Sequence, residues 1–144
     1  MTAEKILDLK GSQVHTVRPD TTIITAAKDL RSETIGAVVV SRDGETIDGI
    51  LSERDIVHAL ADHGIECLDW PVSKIMTRDV KTCSSKDPNL SLMALMNLNH
   101  IRHIPVVDNG KMIGLISMGD IVNRRLSEVA ADAKAMREYI TGTA

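Results

Sequence analysis

Aromatic residues are almost absent from this sequence, which has one Trp, one Tyr and no Phe. Proteins that bind single-stranded nucleic acids stack bases on aromatic side chains, so the composition argues against that class. The net charge of −3 at pH 7 also argues against a basic surface for nucleic acid. The sequence contains no apolar run of about 18 residues, so we expect neither a membrane span nor a membrane partner.

Cysteine is scarce as well, with Cys67 and Cys83 far apart in the chain. Two such residues are too few for a disulfide framework or a zinc site, so we predict no metal site. We interpret them as buried or half-buried thiols in a reducing compartment, and whether either has a redox role stays open. The N-terminal residues lack the apolar core of a signal peptide, so we expect a cytoplasmic location.

The most informative feature that the sequence does contain is an internal repeat. Residues 49–57, GILSERDIV, match residues 114–122, GLISMGDIV, at an offset of 65. Further upstream, Val14-His15-Thr16 parallels Val80-Lys81-Thr82. The chain therefore consists of two copies of one unit, each too small to bury its sheet alone, and we expect the two copies to pack against each other.

Each copy predicts the same order of elements, βαββα. The apolar stripe of the first helix comprises Ile23, Ala27 and Leu30 in one copy and Leu90, Met93 and Met96 or Asn97 in the other. In the second copy, Asp87 is expected to cap this helix and Pro88 to occupy its first turn. Asp43-Gly44 and Asn109-Gly110 predict hairpin turns between the two strands of each copy. The last helices are expected to begin at Glu53 and Met118, and Gly64 is expected to end the earlier one.

These elements give an α+β fold of two βαββα repeats related by a pseudo-twofold axis, with a long C-terminal helix. The expected organisation is a helical extension at 1–10, a first repeat at 11–65, a connector at 66–76, a second repeat at 77–128 and a helical extension at 129–144. Residues 72–76 of the connector predict a short helical turn.

Both copies carry a Ser-x-x-Asp motif where a strand meets a helix, Ser52 with Asp55 and Ser117 with Asp120. The structural interpretation is a capping box, which satisfies free N–H groups at the helix start. The functional interpretation is a ribose site, since a carboxylate can accept hydrogen bonds from two vicinal hydroxyls. The two interpretations are compatible, because a capping acid would lie at the mouth of a cleft.

The C-terminal helix shows apolar residues at alternating steps of four and three: Val122, Leu126, Val129, Ala133, Met136 and Ile140. This heptad-like seam favours self-association into a homodimer. The simpler alternative is that the helix packs on its own domain. Ile6 and Leu7 of the N-terminal helix are a second expected contributor to a dimer contact.

The paired Gly-x-x-Ser-x-x-Asp-Ile motifs, with IRHIPVVDNGKMIGLIS before the second, resemble a tandem pair of CBS domains, a Bateman module. The resemblance covers about residues 11–127. It implies a non-catalytic regulatory module that binds AMP, ADP, ATP or a related adenosyl ligand such as NAD(H) in clefts between the repeats. It also implies a flat dimer that signals to a regulated protein in another chain.

The resemblance further implies roles for single residues. Asp55 and Asp120 would bind ribose. The phosphate and ribose set would be Ser52, Arg54, Ser117, His100, Arg102 and His103. The adenine set would be Val14, Thr16, Gly36, Ala37, Val38, Val80, Thr82, Ile104 and Pro105. Arg102 and His103 are aligned with Ile35 and Gly36 of the first copy, so the two clefts are expected to differ in phosphate preference.

Two other classes of function, an enzyme and an interaction scaffold, have less support in the sequence. No Ser/His/Asp order, supported pair of acids or phosphate-binding glycine loop occurs, so we predict no catalytic residues and no enzyme activity. An interaction scaffold with vestigial clefts is the alternative to a nucleotide sensor. The remaining histidines, His15, His58 and His63, are interpreted as surface or helix-face residues.

Overall fold

The computed structural model describes residues 1–142 of the chain. Its helices and strands are α1 (Ala3–Lys10), β1 (Thr16–Val17), α2 (Ile23–Glu33), β2 (Ala37–Val40), β3 (Gly49–Ser52), α3 (Glu53–His63), α4 (Asn89–Asn99), β4 (His103–Asp108), β5 (Lys111–Ser117) and α5 (Met118–Thr141). This is the expected α+β fold with a long last helix. The final two residues of the predicted C-terminal extension, 143–144, lie outside the described residues.

Two small sheets carry the repeats. In the first, β1 runs parallel to β2 and β2 pairs antiparallel with β3. In the second, β4 and β5 form an antiparallel pair, and Cys83 bridges Val106 in parallel in place of a full first strand. The second repeat thus has a single bridge where the first has a two-residue strand.

Both repeats form the predicted antiparallel hairpin, but the predicted tight turn is present only in the second. Asn109 and Gly110 form a two-residue turn with φ of 53° and 75°, the left-handed conformation that this turn requires. Asp43 and Gly44 instead lie inside a longer loop, residues 41–48. The Asp43 carboxylate accepts hydrogen bonds from the backbone N–H groups of Glu45 and Thr46, and this local network replaces a tight hairpin.

The helix predictions hold for α2 and need correction for α4. Met93 and Met96 face the core as predicted, but Leu90 is 79% exposed and the buried leucine of the first turn is Leu92. Pro88 is the N-cap residue of α4 and its side chain makes no capping bond. The Asp87 carboxylate accepts the N–H of Ser84 instead, in the turn before the helix.

Two separate cores stabilise the fold, which corrects the expectation that the two copies bury their sheets mainly against each other. One core combines Ile104, Ile116 and Ile121 of the second repeat with Ile6 and Leu7 of α1. The other combines the first repeat with Val72 and Met76 from the connector. The first helix in the sequence therefore completes the core of the second repeat, and the connector completes that of the first.

Matching hydrogen bonds show that the N-terminal segment and the connector are related by the pseudo-twofold axis. The N–H of Ile23 donates to the Trp70 carbonyl, as that of Asn89 donates to the Met1 carbonyl. Thr22 bridges Pro71, as Pro88 bridges Thr2. The start of α1 and the turn at Val72–Lys74 thus occupy equivalent places in the two repeats.

Helix α5 leaves its apolar seam uncovered. Leu126 is 62% exposed, Val129 51% and Met136 59%. Packing on its own domain, the simpler explanation of the seam, therefore does not account for these residues. Ile6 and Leu7 are buried in the core of the second repeat. They are therefore not available for the dimer contact that the sequence suggested.

Candidate functional site

Two clefts lie between the repeats, and each takes residues from both. The Asp120 cleft, of about 730 Å³, is lined by Asp120 and Ser117 from the second repeat and by residues of the first, including Val14, Thr16 and Gly36. The Asp55 cleft, of about 240 Å³, is lined by Asp55 and Ser52 from the first repeat and by residues of the second, including Val80 and Arg102. The aspartate of each repeat therefore lies in a cleft that the other repeat helps to form.

A capping box holds each of these acids in place, as the motif predicts. The Asp55 carboxylate accepts the Ser52 N–H through Oδ2 at 2.9 Å, and the Ser52 hydroxyl accepts the Asp55 N–H at 3.2 Å. Asp120 and Ser117 repeat the arrangement at 2.8 and 3.1 Å. Since only Oδ2 is used by the box, Oδ1 of each carboxylate remains available to a ligand.

The two acids differ in one further contact, which the sequence analysis missed. Lys10, the last residue of α1, donates to Oδ2 of Asp120 at 2.7 Å and to the Leu115 carbonyl at 2.8 Å. No ion pair reaches Asp55 within residues 1–142. Nothing local in the sequence could have indicated this pair, because its two members are 110 residues apart.

These contacts set the charge of Asp120. Burial raises the pKa of its carboxyl, but the hydrogen bonds from Lys10 and from the Ser117 backbone outweigh burial and hold the pKa below its ordinary value. Asp120 is therefore a carboxylate at neutral pH. An ionised acceptor forms stronger hydrogen bonds to hydroxyl donors than a neutral one does.

The structural register corrects one alignment between the repeats. Ala37 pairs with Ser52 and His103 pairs with Ser117, so His103 is equivalent to Ala37. The N–H of Glu53 donates to the Gly36 carbonyl, as that of Met118 donates to the Arg102 carbonyl. Arg102 therefore corresponds to Gly36, one residue away from the alignment with Ile35 that the sequence suggested.

The residues expected around adenine divide into two groups. Val14, Thr16, Gly36 and Ala37 line the Asp120 cleft, and Val80, Gly36 and Ala37 line the Asp55 cleft. Others lie elsewhere: Val38 and Ile104 are fully buried in the two cores, Pro105 is buried in β4, and Thr82 is exposed outside both clefts. Val14 and Val80, which are related by the repeat, are half-buried and each lines one of the two clefts.

The basic residues expected near phosphate gather at one cleft. Arg54, His100, Arg102 and His103 all line the Asp55 cleft, and of these only His103 also lines the Asp120 cleft. Lys81 joins them, with its ammonium 3.1 Å from the Asp79 carboxylate. Lys81 is a site residue that the motifs did not indicate, although it is the middle residue of Val80-Lys81-Thr82.

His103 forms part of the wall between the two clefts. A β-carbon at Gly36 would lie 3.3 Å from its Cε1, so the glycine allows the imidazole to lie close against the opposite repeat. Burial lowers the pKa of His103, and the carboxylates of Asp120 and Glu53 only partly offset this. The imidazole is therefore neutral at pH 7.

Further features limit the chemistry that the described residues can support. Among residues 1–142, no group of three or more His, Cys, Asp or Glu side chains is placed to hold a metal ion. No helix in that part of the chain is both long and apolar enough to cross a membrane. The groups that line the clefts are carboxylates, hydroxyls, basic side chains and apolar side chains.

Comparison with known proteins identifies the family. The family model for the CBS domain matches the chain twice, over residues 7–62 and 72–127. The chain therefore belongs to the CBS domain family, with two CBS domains in tandem. The resemblance inferred from the paired motifs is confirmed.

The relatives include both bacterial and plant proteins. The CBS domain-containing protein YhcV of Bacillus subtilis is 33% identical over 132 residues, which cover 89% of this chain and 91% of YhcV. The mitochondrial CBS domain-containing protein CBSX3 of Arabidopsis thaliana is 35% identical over 127 residues, which cover 85% of this chain and 62% of CBSX3.

Solved structures share the fold. The CBS-domain containing protein ATU1752 from Agrobacterium tumefaciens superposes with a TM-score of 0.85 at 41% identity, covering 87% of this chain and 99% of that protein. The CBS protein PAE2072 from Pyrobaculum aerophilum, complexed with AMP, gives 0.74 at 28% identity, covering 83% and 89%. The CBS domain pair of MJ0100, complexed with 5′-methylthioadenosine and S-adenosylmethionine, gives 0.79 at 25% identity, covering 89% and 98%.

Proposed function

We propose that this protein is a non-catalytic regulatory module that binds an adenosyl ligand, such as AMP, ADP, ATP or NAD(H), between its two CBS domains. The observation that carries the proposal is the position of Asp55 and Asp120. Each lines a cleft, is fixed by a capping box, keeps Oδ1 available, and shares the cleft with Val80 or Val14 of the other repeat. The adenosyl ligands of PAE2072 and MJ0100 support the choice of ligand class.

The geometry suggests how the ligand is held. The ribose hydroxyls would donate to the aspartate, while the adenine ring would pack in the apolar part of the cleft beside Val14 or Val80. A vicinal diol suits a carboxylate oxygen that is already oriented, because no side-chain entropy is lost when it binds. Catalysis has no such support, since no nucleophile paired with a base lines either cleft among the described residues.

Regulation requires a route to another chain, and we propose that it begins with a homodimer. Val57 of α3 and Val122 of α5 are equivalent in the two repeats, and both are exposed, at 60% and 40%. Leu126 continues this apolar surface along α5. Monomeric proteins seldom expose a long apolar stripe, so a second copy of the chain is the partner that we favour here. The regulated protein would act in trans, in the cytoplasm.

Calorimetric titration with AMP, ADP, ATP, NAD(H) and S-adenosylmethionine tests the proposal. We expect saturable binding of at least one ligand, and a higher melting temperature in its presence because only the folded state binds. Asp55→Ala and Asp120→Ala should each abolish or weaken one site. If the folded wild type binds none of these compounds, the clefts are vestigial and the protein is an interaction scaffold.

A further inference from the structure

The two clefts carry different charged groups, although the repeats that build them are related by sequence. Three cationic side chains line the Asp55 cleft, Arg54, Lys81 and Arg102, against the two carboxylates of Asp55 and Glu53. In the Asp120 cleft the balance is reversed, with one cation and two carboxylates: Lys10 against Asp120 and Glu33. The clefts therefore differ in the sign of their charge.

The cations also differ in whether they are available. Lys10 is already bound to Asp120 at 2.7 Å, so a phosphate that entered this cleft would have to compete with a carboxylate for it. In the Asp55 cleft, Lys81 is paired with Asp79 at 3.1 Å. Arg54 and Arg102 form no ion pair or side-chain hydrogen bond within residues 1–142. Guanidinium groups bind phosphate oxygens through two parallel hydrogen bonds, and these two are available for that contact.

The space beside the Asp55 cleft is suited to a chain of phosphates. A groove of about 700 Å³ between the starts of α3 and α5 adjoins both clefts, but the residues that it shares with the Asp120 cleft are only Gly36, His103 and Ser117. Arg54, His100 and Arg102 line both the cleft and the groove. A phosphate group attached to a ribose at Asp55 could therefore extend outward along basic side chains.

The neutral His103 does not correct the imbalance. It faces both clefts, with Lys10 and Asp120 on one side and Glu53 and Arg102 on the other. Since burial lowers its pKa, it supplies a hydrogen-bonding group to either cleft but no positive charge at pH 7. The difference in charge between the clefts thus rests on the lysine and arginine residues.

We propose that the two clefts divide adenosyl ligands by charge. The Asp55 cleft selects 5′-phosphorylated ligands, and the Asp120 cleft selects adenosyl ligands that lack a 5′-phosphate, such as a nucleoside or a 5′-thioether. This division rests on the proposed function, because it presupposes that both clefts bind an adenosyl group.

Methyl NMR can follow each cleft separately, because Val14 lines only the Asp120 cleft and Val80 only the Asp55 cleft. The probes are AMP and 5′-methylthioadenosine, added to the full chain with labelled valine methyl groups. We expect AMP to shift the Val80 methyls with a Kd at least about tenfold lower than that for the Val14 methyls, equivalent to about 1.4 kcal/mol. 5′-Methylthioadenosine should show the opposite order.

A variant and a matched control identify the cause. Arg102→Gln should weaken AMP at the Val80 reporter about tenfold and leave 5′-methylthioadenosine at the Val14 reporter unchanged. Arg137→Gln removes the same charge from an exposed position on α5 that lines neither cleft, and it should change neither Kd. The preference should also shrink in 0.5 M salt relative to about 0.05 M, because exposed charges are screened.

The outcomes separate this division from the proposed function. If AMP fills both clefts equally, fills the Asp120 cleft first, or is insensitive to Arg102→Gln, the division by charge is overturned while adenosyl binding stands. If neither probe shifts either valine in the folded protein, the proposed function fails and the division fails with it.

Discussion

Replacing Asp120 by alanine tests the structure at its most connected residue. The substitution removes the acceptor for the Ser117 N–H, and loss of one such hydrogen bond costs about 0.5–1.5 kcal/mol. It also removes the partner of Lys10, in a pair whose side chains are 34% and 22% exposed, worth up to about 1 kcal/mol at such a surface. We therefore expect Asp120→Ala to lower the free energy of unfolding by about 0.5–2.5 kcal/mol.

Asp55→Ala is the matched control, because it removes an equivalent capping box with no lysine attached. Urea unfolding of both variants should show the larger loss for Asp120→Ala. Lys10→Met, made alone and together with Asp120→Ala, isolates the ion pair as the coupling energy of the cycle. Equal losses for the two alanine variants and zero coupling would mean that the Lys10 contact adds nothing to stability.

The same pair of variants distinguishes capping from ribose binding. With the ligand identified by calorimetry, each alanine variant should lose at least about tenfold in affinity at its own cleft, since a charge-assisted contact is worth about 1.5–3 kcal/mol. The affinity is measured without urea, at a temperature at which the variant is fully folded. Loss of stability with unchanged affinity would show that the aspartates are only helix caps.

The pH dependence of stability follows from the lowered pKa of Asp120. A carboxyl whose pKa is lower in the folded state stabilises fully above its unfolded pKa, about 3.9, and this stabilisation is lost as the pH falls through the folded pKa. The stability difference between wild type and Asp120→Asn should therefore be constant near neutral pH and shrink below about pH 4. Unfolding followed by circular dichroism from pH 7 to pH 2 measures it.

Leu126→Asp should convert the proposed dimer to a monomer in light scattering, because a charge would be buried unpaired at the interface. A wild type that is monomeric at high micromolar concentration would contradict the dimer. Cys67 and Cys83 should react with a thiol reagent at pH 8 only after unfolding, since both are buried and burial raises the pKa of Cys83 to about 12; rapid labelling of the native protein would contradict this. Gly49→Ala should cost about 1–3 kcal/mol, because its Cβ would lie 2.9 Å from the Thr77 carbonyl oxygen. Gly119→Ala is the control: its Cβ meets nothing closer than 3.6 Å, so it should be neutral or stabilising in thermal unfolding.

Local patterns in the sequence determined much of this protein. The offset of 65 between the two motifs predicted the repeat, and Ser-x-x-Asp predicted both capping boxes, because such a box is formed by residues three apart. Asn109-Gly110 predicted its turn, because the two turn residues themselves favour the conformation that the turn requires. Where a longer-range contact decided the outcome, prediction failed: Leu90 faces outward because the tertiary packing of α4 buries Leu92 in its place.

Only the tertiary structure decided which segments complete which core. Ile6 and Leu7 pack on the second repeat, and Val72 and Met76 of the connector take the equivalent position on the first. Nothing in residues 1–10 indicates which repeat they contact. Because α1 packs on the second repeat, Lys10 reaches Asp120, whereas no lysine pairs with Asp55 within residues 1–142. Sequence alone could name the two acids of the candidate site. Arg102, which helps to distinguish the Asp55 cleft, could also be recognised by comparing the two copies. The lysine bound to Asp120 could not, because that contact joins residues 110 apart in the chain and has no local signature.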